Sequence, residues 1–442
     1  MIGSGIFIVS AKSARVLGSG GWLLAAWAIA GVLTMVAALC CSELAAMMPR
    51  AGGQYVFFRE AYGPMTGFLF GWTMFLVVQT GTIAAVAVAF AKFLGVLWPA
   101  VSETKTSIGP FSVSIAQGVG VAVIVLLTAS NATGLETGTR TQNVFTFAKL
   151  AALLGLTACG LAFGRPDAAL RQAGFWEAAS PDGTPLTGLA LPIALGIAMV
   201  GPLFSQSAWN NVTFAGEEVE RPDRTLPMSL LVGCLLVTTL YVLANVSYLN
   251  VLPLDAIQNA PADRVATAVA TGLFGPGAAR LMAIAIMVST FGCVNGLILS
   301  GARVSFAMAR DGLFFRRLER LNAAAVPANA LWAQAFWAAL LALSGSYSDL
   351  LEYVISADIL FYVLLVVAVI VLRRRRPDLA RPFLAPGYPI LPLFYAISGV
   401  VLIAVLLAGN PATTWPGYLL VLTGVPIYFV WRRRGRGAAL ES

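Results

Sequence analysis

The 442-residue chain is 59% hydrophobic and only 11% charged, with a formal net charge of +8. Soluble domains carry about a quarter charged residues, so this composition excludes an ordinary soluble protein. The chain has no histidine, and its five cysteines all fall in predicted membrane spans. We therefore expect no enzyme, no metal or other cofactor, and no disulfide.

Apolar stretches long enough to cross a bilayer, about 20 residues each, recur along the whole chain. They predict spans at 22–47, 65–98, 111–130, 143–163, 187–214, 228–252, 280–302, 328–344, 350–372, 390–409 and 414–431. The opening segment 1–17 predicts one further, shortened span. The pattern is that of an all-α polytopic membrane protein.

The chain opens with MIGSGIF, which places Gly3, Ser4 and Gly5 just before an apolar helix. Three small residues at this position expose backbone N–H groups at the positive end of a helix. That arrangement binds anions, and a substrate carboxylate is the natural occupant. A plain helix-packing face is the alternative interpretation of the same residues.

A second polar interruption, GPLFSQSAWNN at 201–211, lies inside the predicted span 187–214. Pro202 lacks an N–H, and the polar side chains around it need partners at that depth. We predict a helix broken in mid-membrane, with a kinked but continuous helix as the alternative. The two interruptions fall in the first and sixth spans, as expected of an inverted-repeat transporter.

Two ionisable residues lie deep inside predicted spans, where charges are costly and usually functional. Lys149 could hold a fixed charge, carry a coupling proton, or snorkel to the inner surface. Asp358 could pair with a buried polar neighbour, carry a proton, or recognise a cationic side chain.

Basic residues are distributed unequally between the two sides of the predicted topology. Eighteen arginines fall on one side against eight basic residues on the other, which makes the first side cytoplasmic. Those arginines lie in the loops 49–64, 131–142, 217–227, 309–327 and 373–389 and in the tail 432–442. We expect an inner-membrane protein with a cytoplasmic C-terminus. The run RRRR at 373–376 is expected to face anionic membrane lipid, and no nucleic acid is needed to explain the charge.

Five motifs in order resemble the amino acid–polyamine–organocation superfamily, and most closely its L-type amino acid transporter branch. They are IGSGIF, SELAAMMPRAGGQYVFFREAYGP at 42–64, FSQSAWNNVTFAGEEVERPDRTLP at 204–227, AMARDG at 307–312 and RRRRPDLARPFLAPGYPILP at 373–392. The resemblance implies a 5+5 inverted-repeat (LeuT-like) fold with discontinuous helices 1 and 6. It implies repeats at 1–163 and 187–372, two peripheral helices at 390–431 and a tail at 432–442.

In this superfamily the GSG motif lies in the middle of helix 1, after a cytoplasmic half-helix. Met1 stands at the position of the bend, so the first half of helix 1 is expected to be missing. Either translation begins upstream or the reading frame is trimmed.

The resemblance also implies how the opening motif binds an α-amino acid. Ser4 and Gly5 would donate hydrogen bonds to the substrate carboxylate, while Gly3 allows close backbone approach. The carbonyls near Met1 and Ile2 would accept hydrogen bonds from the α-ammonium.

At the second interruption, the carbonyls of Phe204 and Ser205 would accept from the same α-ammonium. Phe204 would close the pocket toward the outside, although ordinary helix packing is the alternative. Gln206 and Asn210 are further candidate substrate-binding residues of this motif.

In sodium-coupled relatives a cation lies between helices 1 and 8, and the resemblance places the Lys149 ammonium there. It therefore implies sodium independence. The resemblance places Asp358 close to the substrate side chain. The loop 99–110 has no cysteine, so we expect no covalent heavy-chain subunit.

These expectations describe a permease or exchanger of small or medium neutral α-amino acids that works by alternating access. A carrier of cationic amino acids or polyamines, with Asp358 as the side-chain partner, is the nearest alternative. A non-transporting amino acid sensor on the same scaffold is the third.

Overall fold

The computed structural model describes residues 2–101, 104–108, 111–344, 347–409 and 411–438, with side-chain detail except at 105–112, 135–144, 347–349, 353, 413 and 433–438. Eighteen α-helices in this described part are numbered in chain order. They are α1 (Gly5–Ile8), α2 (Ser10–Leu17), α3 (Gly20–Met47), α4 (Gln54–Tyr62), α5 (Pro64–Thr73), α6 (Gln79–Leu97), α7 (Ile115–Thr133), α8 (Leu135–Ala162), α9 (Ala190–Ala198), α10 (Val200–Gln206), α11 (Pro222–Val251), α12 (Leu254–Gln258), α13 (Val265–Phe274), α14 (Pro276–Arg310), α15 (Ala328–Ser344), α16 (Tyr347–Arg375), α17 (Ile390–Gly409) and α18 (Pro411–Ala438).

Eight helical stretches of the described chain are long and apolar enough to cross a membrane. They are Gly20–Met47, Pro64–Leu97, Ile115–Thr133, Phe145–Ala162, Pro222–Val251, Pro276–Arg310, Leu350–Arg375 and Ile390–Gly409. The three remaining predicted spans coincide with α9–α10, α15 and α18. The prediction of an all-α multi-pass membrane protein is confirmed at this level.

Two predicted boundaries were wrong. The span predicted from 111 begins at Ile115, because Phe111–Ser114 pairs as a strand with Lys105–Ile108. Ser114 then caps α7, accepting from the Gln117 N–H at 3.2 Å while the Gln117 side chain accepts from the Ser114 N–H at 2.9 Å. The tail predicted from 432 continues α18 as helix to Ala438.

Small residues allow the long apolar helices to pack closely, as is usual inside membranes. α3 and α11 illustrate this, because a Cβ at Gly31 would lie only 3.2 Å from the Thr238 Cβ. The N-terminus of α3 is capped by the Ser19 hydroxyl, which accepts from the Trp22 N–H at 3.3 Å.

A five-residue π-helical turn, Met74–Val78, joins α5 to α6. The Thr80 hydroxyl donates to the Phe75 carbonyl at 2.8 Å, five residues earlier. The turn is followed directly by Gln79, whose amide donates to the Leu297 carbonyl of α14 at 2.7 Å. A π-turn is often found where a helix serves a function, and here it places a polar side chain against α14.

The helix ends define two faces of the bundle. We call the face where α3 begins the loop face, and the face where α3, α14 and α16 end the arginine-rich face. At the loop face, the Phe175 carbonyl accepts from the Ser19 hydroxyl at 2.7 Å and from the Gly21 N–H at 2.8 Å, where α3 begins. At the arginine-rich face, where α3, α14 and α16 end, the Gly52 N–H donates to the Phe214 carbonyl at 3.0 Å. α4 lies at this second face.

Candidate functional site

The first interruption lies at the start of α1. Gly3 and Ser4 are not helical, and Ile2 through Gly5 are all buried. The Ser4 carbonyl accepts from the Phe7 N–H at 3.1 Å, and α1 continues through Val9 into α2, since the Ser13 N–H bonds to the Val9 carbonyl at 3.2 Å. A helix therefore begins at a buried point in the interior. Met1 lies outside the described residues.

The second interruption lies at Ser207 and Ala208, five residues beyond Pro202. α10 ends at Gln206, Ser207 is extended, and Ala208 adopts a left-handed conformation with φ 62°. A six-residue 3-10 helix, Trp209–Phe214, follows. The missing N–H of Pro202 coincides with the junction of α9 and α10 at Met199, but the backbone stays helical there, and the break itself comes after Gln206.

The two interrupted helices touch each other through Gly5 and Ser205. A Cβ at Gly5 would lie 2.7 Å from the Ser205 Cβ and 3.0 Å from its Cα, so only glycine fits this contact. Gly201 permits a second close approach, since its Cβ would lie 2.8 Å from the Val9 Cβ. The structure thus brings Ser4, Gly5 and Ser205 together, although on opposite helices.

The turn after α10 uses the Phe204 carbonyl. This oxygen accepts from the Ser207 N–H at 3.0 Å and from the Ser207 hydroxyl at 2.7 Å. Two donors occupy both lone pairs of a carbonyl, so an ammonium would have to displace one of them in this conformation. The Ser205 hydroxyl donates to the Gly201 carbonyl at 2.8 Å.

Gln206 and Asn210 are held by neighbouring helices in this conformation. The Gln206 amide donates to the Trp27 carbonyl at 3.4 Å and its oxygen accepts from the Thr238 hydroxyl at 3.1 Å. Asn210 Nδ2 donates to Gln54 Oε1 at 2.8 Å. These amides connect the second interruption to α3, α11 and α4.

Lys149 lies on α8 and reaches the first interruption. Its side chain is buried, and Nζ donates to the Ile2 carbonyl at 3.1 Å. Cys293 of α14 flanks the same point, since a Cβ at Gly3 would lie 3.0 Å from its Sγ. A basic side chain therefore lies where the chain enters α1.

Asp358 lies on α16 and is 3% exposed. Within the described residues, no cationic side chain forms an ion pair with it. Tyr362 follows one turn later on the same helix and packs against Trp209, with ring centroids 5.3 Å apart. Asp358 is thus one helical turn from a residue that packs against the 3-10 helix Trp209–Phe214.

Small cavities lie on both sides of the Gly5–Ser205 contact. Toward the loop face, a cavity of about 40 Å³ lies between Val9, Lys12 and Gly201. At the arginine-rich face, a cavity of about 130 Å³ is lined by Glu218 and Arg303, among others. Neither of these two cavities is lined by Gly5 or Ser205.

Ion pairs close both faces. At the loop face Lys12 pairs with Glu352, and Arg15 pairs with Asp263 at 2.8 Å. At the arginine-rich face the structure adds pairs of residues that the sequence analysis did not select. Arg303 binds Glu218 through two hydrogen bonds of 2.8 and 2.7 Å, Arg310 lies 3.6 Å from Glu217, and Asp311 accepts from Arg59 and from the Tyr55 hydroxyl.

Glu43 is a further residue that the sequence analysis missed. It is 1% exposed near the end of α3 and accepts from Arg373 Nε at 2.8 Å and Nη2 at 2.6 Å. The Ala385 N–H also donates to it at 2.8 Å. Arg373, expected to face lipid with its three neighbours, is therefore directed inward. A carboxylate inside the predicted span 22–47 was the available signal.

A buried helix start and a buried helix end that meet inside a multi-pass bundle are typical of membrane transport proteins. The chain belongs to the amino acid permease family, which it matches over residues 1–430. The resemblance inferred from the five motifs is confirmed. The chain is therefore an amino acid permease, and this family consists of transporters rather than enzymes.

Individual relatives resemble it over nearly the whole chain. It is 28% identical to the serine/threonine exchanger SteT of Bacillus subtilis (strain 168), covering 98% of this chain and 94% of that one. It is 28% identical to the mouse b(0,+)-type amino acid transporter 1, with 98% and 85% covered. It is also 28% identical to the human cystine/glutamate transporter, with 100% and 85% covered.

Proposed function

We propose that this permease exchanges small or medium neutral α-amino acids across the inner membrane, with its C-terminus in the cytoplasm. The observation that carries the proposal is the contact between Gly5 and Ser205. It places the positive start of one helix against the carbonyl end of another, inside the bundle. A zwitterion has opposite charges at its two ends and fits between two such helix ends.

In the bound state, the substrate carboxylate accepts from the backbone at Ser4 and Gly5 and from the Ser4 hydroxyl. The α-ammonium donates to the end of α10, because the Ile2 carbonyl already accepts from Lys149. Because Ser207 already occupies the Phe204 carbonyl, the ammonium uses the Ser205 carbonyl or displaces Ser207. Gly5 and Ser205 touch in this structure, so substrate entry requires the two helices to separate.

The two faces open in turn. The Lys12–Glu352 and Arg15–Asp263 pairs close the loop face, and the Glu218–Arg303 and Asp311–Arg59 pairs close the arginine-rich face. Each pair joins segments that are far apart in the sequence. When the ion pairs of one face break while those of the other face hold, the substrate site opens to one side only. Alternating access is then a shift of population between these two states.

Exchange is sodium-independent in this proposal. The Lys149 amine donates to the Ile2 carbonyl, which is where a coupling cation would otherwise be held, and its ammonium form would supply the positive charge there. The chain acts without a covalently attached subunit, because the segment 99–110 contains no cysteine.

Counterflow in proteoliposomes made from the purified chain tests these points. Vesicles preloaded with unlabelled serine should accumulate labelled serine, alanine or leucine, equally well in sodium or choline buffer. A sodium requirement would contradict the role of Lys149. Absence of counterflow for every amino acid, from protein that binds them, would favour a sensor.

A cationic substrate is the second candidate, and Asp358 favours it. This buried carboxylate has no cationic partner among the described side chains, so a substrate ammonium or guanidinium could supply one. Preferential counterflow of labelled arginine or of a polyamine over serine would replace the neutral assignment.

A further inference from the structure

Three parts of the chain meet in an aromatic cluster at the arginine-rich face. Phe314, which follows α14, is 2% exposed. Its ring centroid lies 6.3 Å from that of Trp72, 5.3 Å from Phe75, 5.2 Å from Phe315 and 6.0 Å from Trp431. The cluster thereby fixes the segment after α14 against α5 and against the last helix, α18.

The outer edge of this cluster is exposed. Phe315 is 58% exposed, and its ring meets Trp431 edge to face with centroids 5.1 Å apart. Each of these rings is followed directly by basic residues, Arg316 and Arg317 after Phe315 and Arg432 after Trp431. The ring contact therefore brings basic residues from two distant parts of the chain to one place, which we call the aromatic–arginine corner.

The three arginines of the corner are exposed, and no ion pair or side-chain hydrogen bond joins them to another described residue. Other arginines of the same face behave differently. Arg303 pairs with Glu218, Arg310 with Glu217 and Arg373 with Glu43. The three arginines of the corner thus form no ion pair within the described residues, whereas Arg303, Arg310 and Arg373 each pair with a carboxylate.

The backbone of the corner is held in place. Leu318, in the 3-10 turn Arg316–Glu319, is 5% exposed and anchors the turn inward. Asn329 Nδ2 donates to the Arg317 carbonyl at 2.8 Å. Arg316 and Arg317 therefore project from an ordered turn.

The helix ends around the corner indicate the depth of lipid headgroups. α14 ends at Arg310, α5 begins at Pro64, and the apolar sequence of α18 ends at Trp431 before a run of arginines. Exposed aromatic rings prefer this interfacial layer, and arginines there attract anionic lipid.

We propose that the aromatic–arginine corner binds the headgroup of an anionic phospholipid. The phosphodiester accepts hydrogen bonds from Arg316, Arg317 and Arg432, and Phe315 packs against the glycerol and upper acyl carbons. The exposed ring selects a lipid over a soluble phosphate, which could use only the arginines. Because the turn follows α14 after only five residues, the bound lipid stabilises the end of the helix that carries Arg303.

Thermal unfolding of the detergent-purified permease tests the proposal. Adding phosphatidylglycerol should raise the midpoint temperature more than adding phosphatidylcholine does. R316Q/R317Q should lose most of that difference. The matched control is R374Q/R375Q, which removes two equally exposed arginines that no exposed ring accompanies, and it should keep the difference.

Two further arms separate the possible sources of an effect. F315A leaves the charge unchanged and should still reduce the lipid-specific stabilisation. Native mass spectrometry provides the second arm. It should show less retained phosphatidylglycerol for F315A and R316Q/R317Q than for R374Q/R375Q. Equal losses in both arginine pairs would show a general charge effect and overturn the proposal. An equal stabilisation by inorganic phosphate would also overturn it, because the site would then bind a soluble anion.

Discussion

The Lys149 ammonium lies 3.1 Å from the carbonyl oxygen of Ile2, to which it donates a hydrogen bond across the interior of the bundle. The bond ties α8 to the non-helical segment that precedes α1. A buried charge needs such a partner, and a buried carbonyl before a helix start needs a donor. The bond gives each group a partner, and it links α8 to the segment that contains Gly3, Ser4 and Gly5.

Replacing Lys149 with methionine should lower counterflow at least tenfold. A hydrogen bond to a charged group contributes about 1.5–3 kcal/mol, and 1.4 kcal/mol corresponds to a factor of about ten. Lys149→Arg keeps the charge and should retain part of the activity. Unchanged counterflow and an unchanged pH response in Lys149→Met, with normal size-exclusion behaviour, would show that the residue only fills space.

Gly5→Ala should abolish most transport. The new Cβ would overlap Ser205, with 2.7 Å to its Cβ and 3.0 Å to its Cα, so the helices must move apart. Overpacking of this kind costs about 1–3 kcal/mol. Gly233→Ala is the matched control, because nothing lies within 4 Å of a Cβ there and activity should be kept. Ser205→Gly should partly rescue Gly5→Ala in the double variant, measured by counterflow.

The sequence made the spans and the approximate sites of interruption predictable, because both depend on local composition. Small residues at Gly3–Gly5 and polar residues at 201–211 stand out against apolar surroundings. The position of the second interruption depended instead on the backbone at Ser207 and Ala208. The chain is helical from Ala190 through Pro202 to Gln206, and the left-handed conformation of Ala208 is not indicated by its residue type.

Long-range partners could not be predicted. The Gln206 and Asn210 amides resemble ligands in the sequence, but their hydrogen bonds to Trp27, Thr238 and Gln54 are visible only in the fold. The π-turn before Gln79 is likewise a backbone feature that the residue pattern does not predict.

Glu43→Gln should destabilise the protein markedly. The Arg373 guanidinium donates to the buried Glu43 carboxylate at 2.6 and 2.8 Å. The substitution would leave this guanidinium beside a neutral amide instead of a carboxylate. Breaking a buried pair by changing one partner costs about 3–5 kcal/mol. The midpoint of thermal unfolding in detergent measures the effect. Glu319→Gln, an exposed carboxylate, is the control, and an equal shift in both variants would contradict the buried-pair argument.

Asp311→Asn should loosen α4 at the arginine-rich face. It removes the charged acceptor shared by Arg59 and the Tyr55 hydroxyl. Amide hydrogen exchange across Gln54–Tyr62 should become faster, whereas Asp378→Asn, at an exposed carboxylate, should leave it unchanged. Unaltered exchange in Asp311→Asn would show that backbone contacts alone hold α4.

The Tyr55 contribution to this link should not depend on pH in the neutral to mildly alkaline range. Burial, and then the neighbouring Asp311, raise the pKa of Tyr55 well above its usual value. The hydroxyl therefore stays protonated and remains a donor, and its stabilising effect would be lost only as pH rises toward that higher pKa. Tyr55→Phe should accelerate exchange across α4 equally at neutral and mildly alkaline pH, and an effect confined to one of them would contradict this assignment.

Asp358→Asn separates the two candidate substrates. If the carboxylate binds a cationic side chain, the substitution should weaken arginine or polyamine counterflow at least tenfold and spare serine, because a charged hydrogen bond of about 1.5–3 kcal/mol is lost. If the permease takes neutral substrates, serine counterflow should keep its apparent affinity. Competition by unlabelled arginine against labelled serine, in wild type and variant, measures both outcomes in one assay. Loss of serine and arginine counterflow together, in protein that still folds, would instead indicate that Asp358 serves the transport cycle itself rather than side-chain selection.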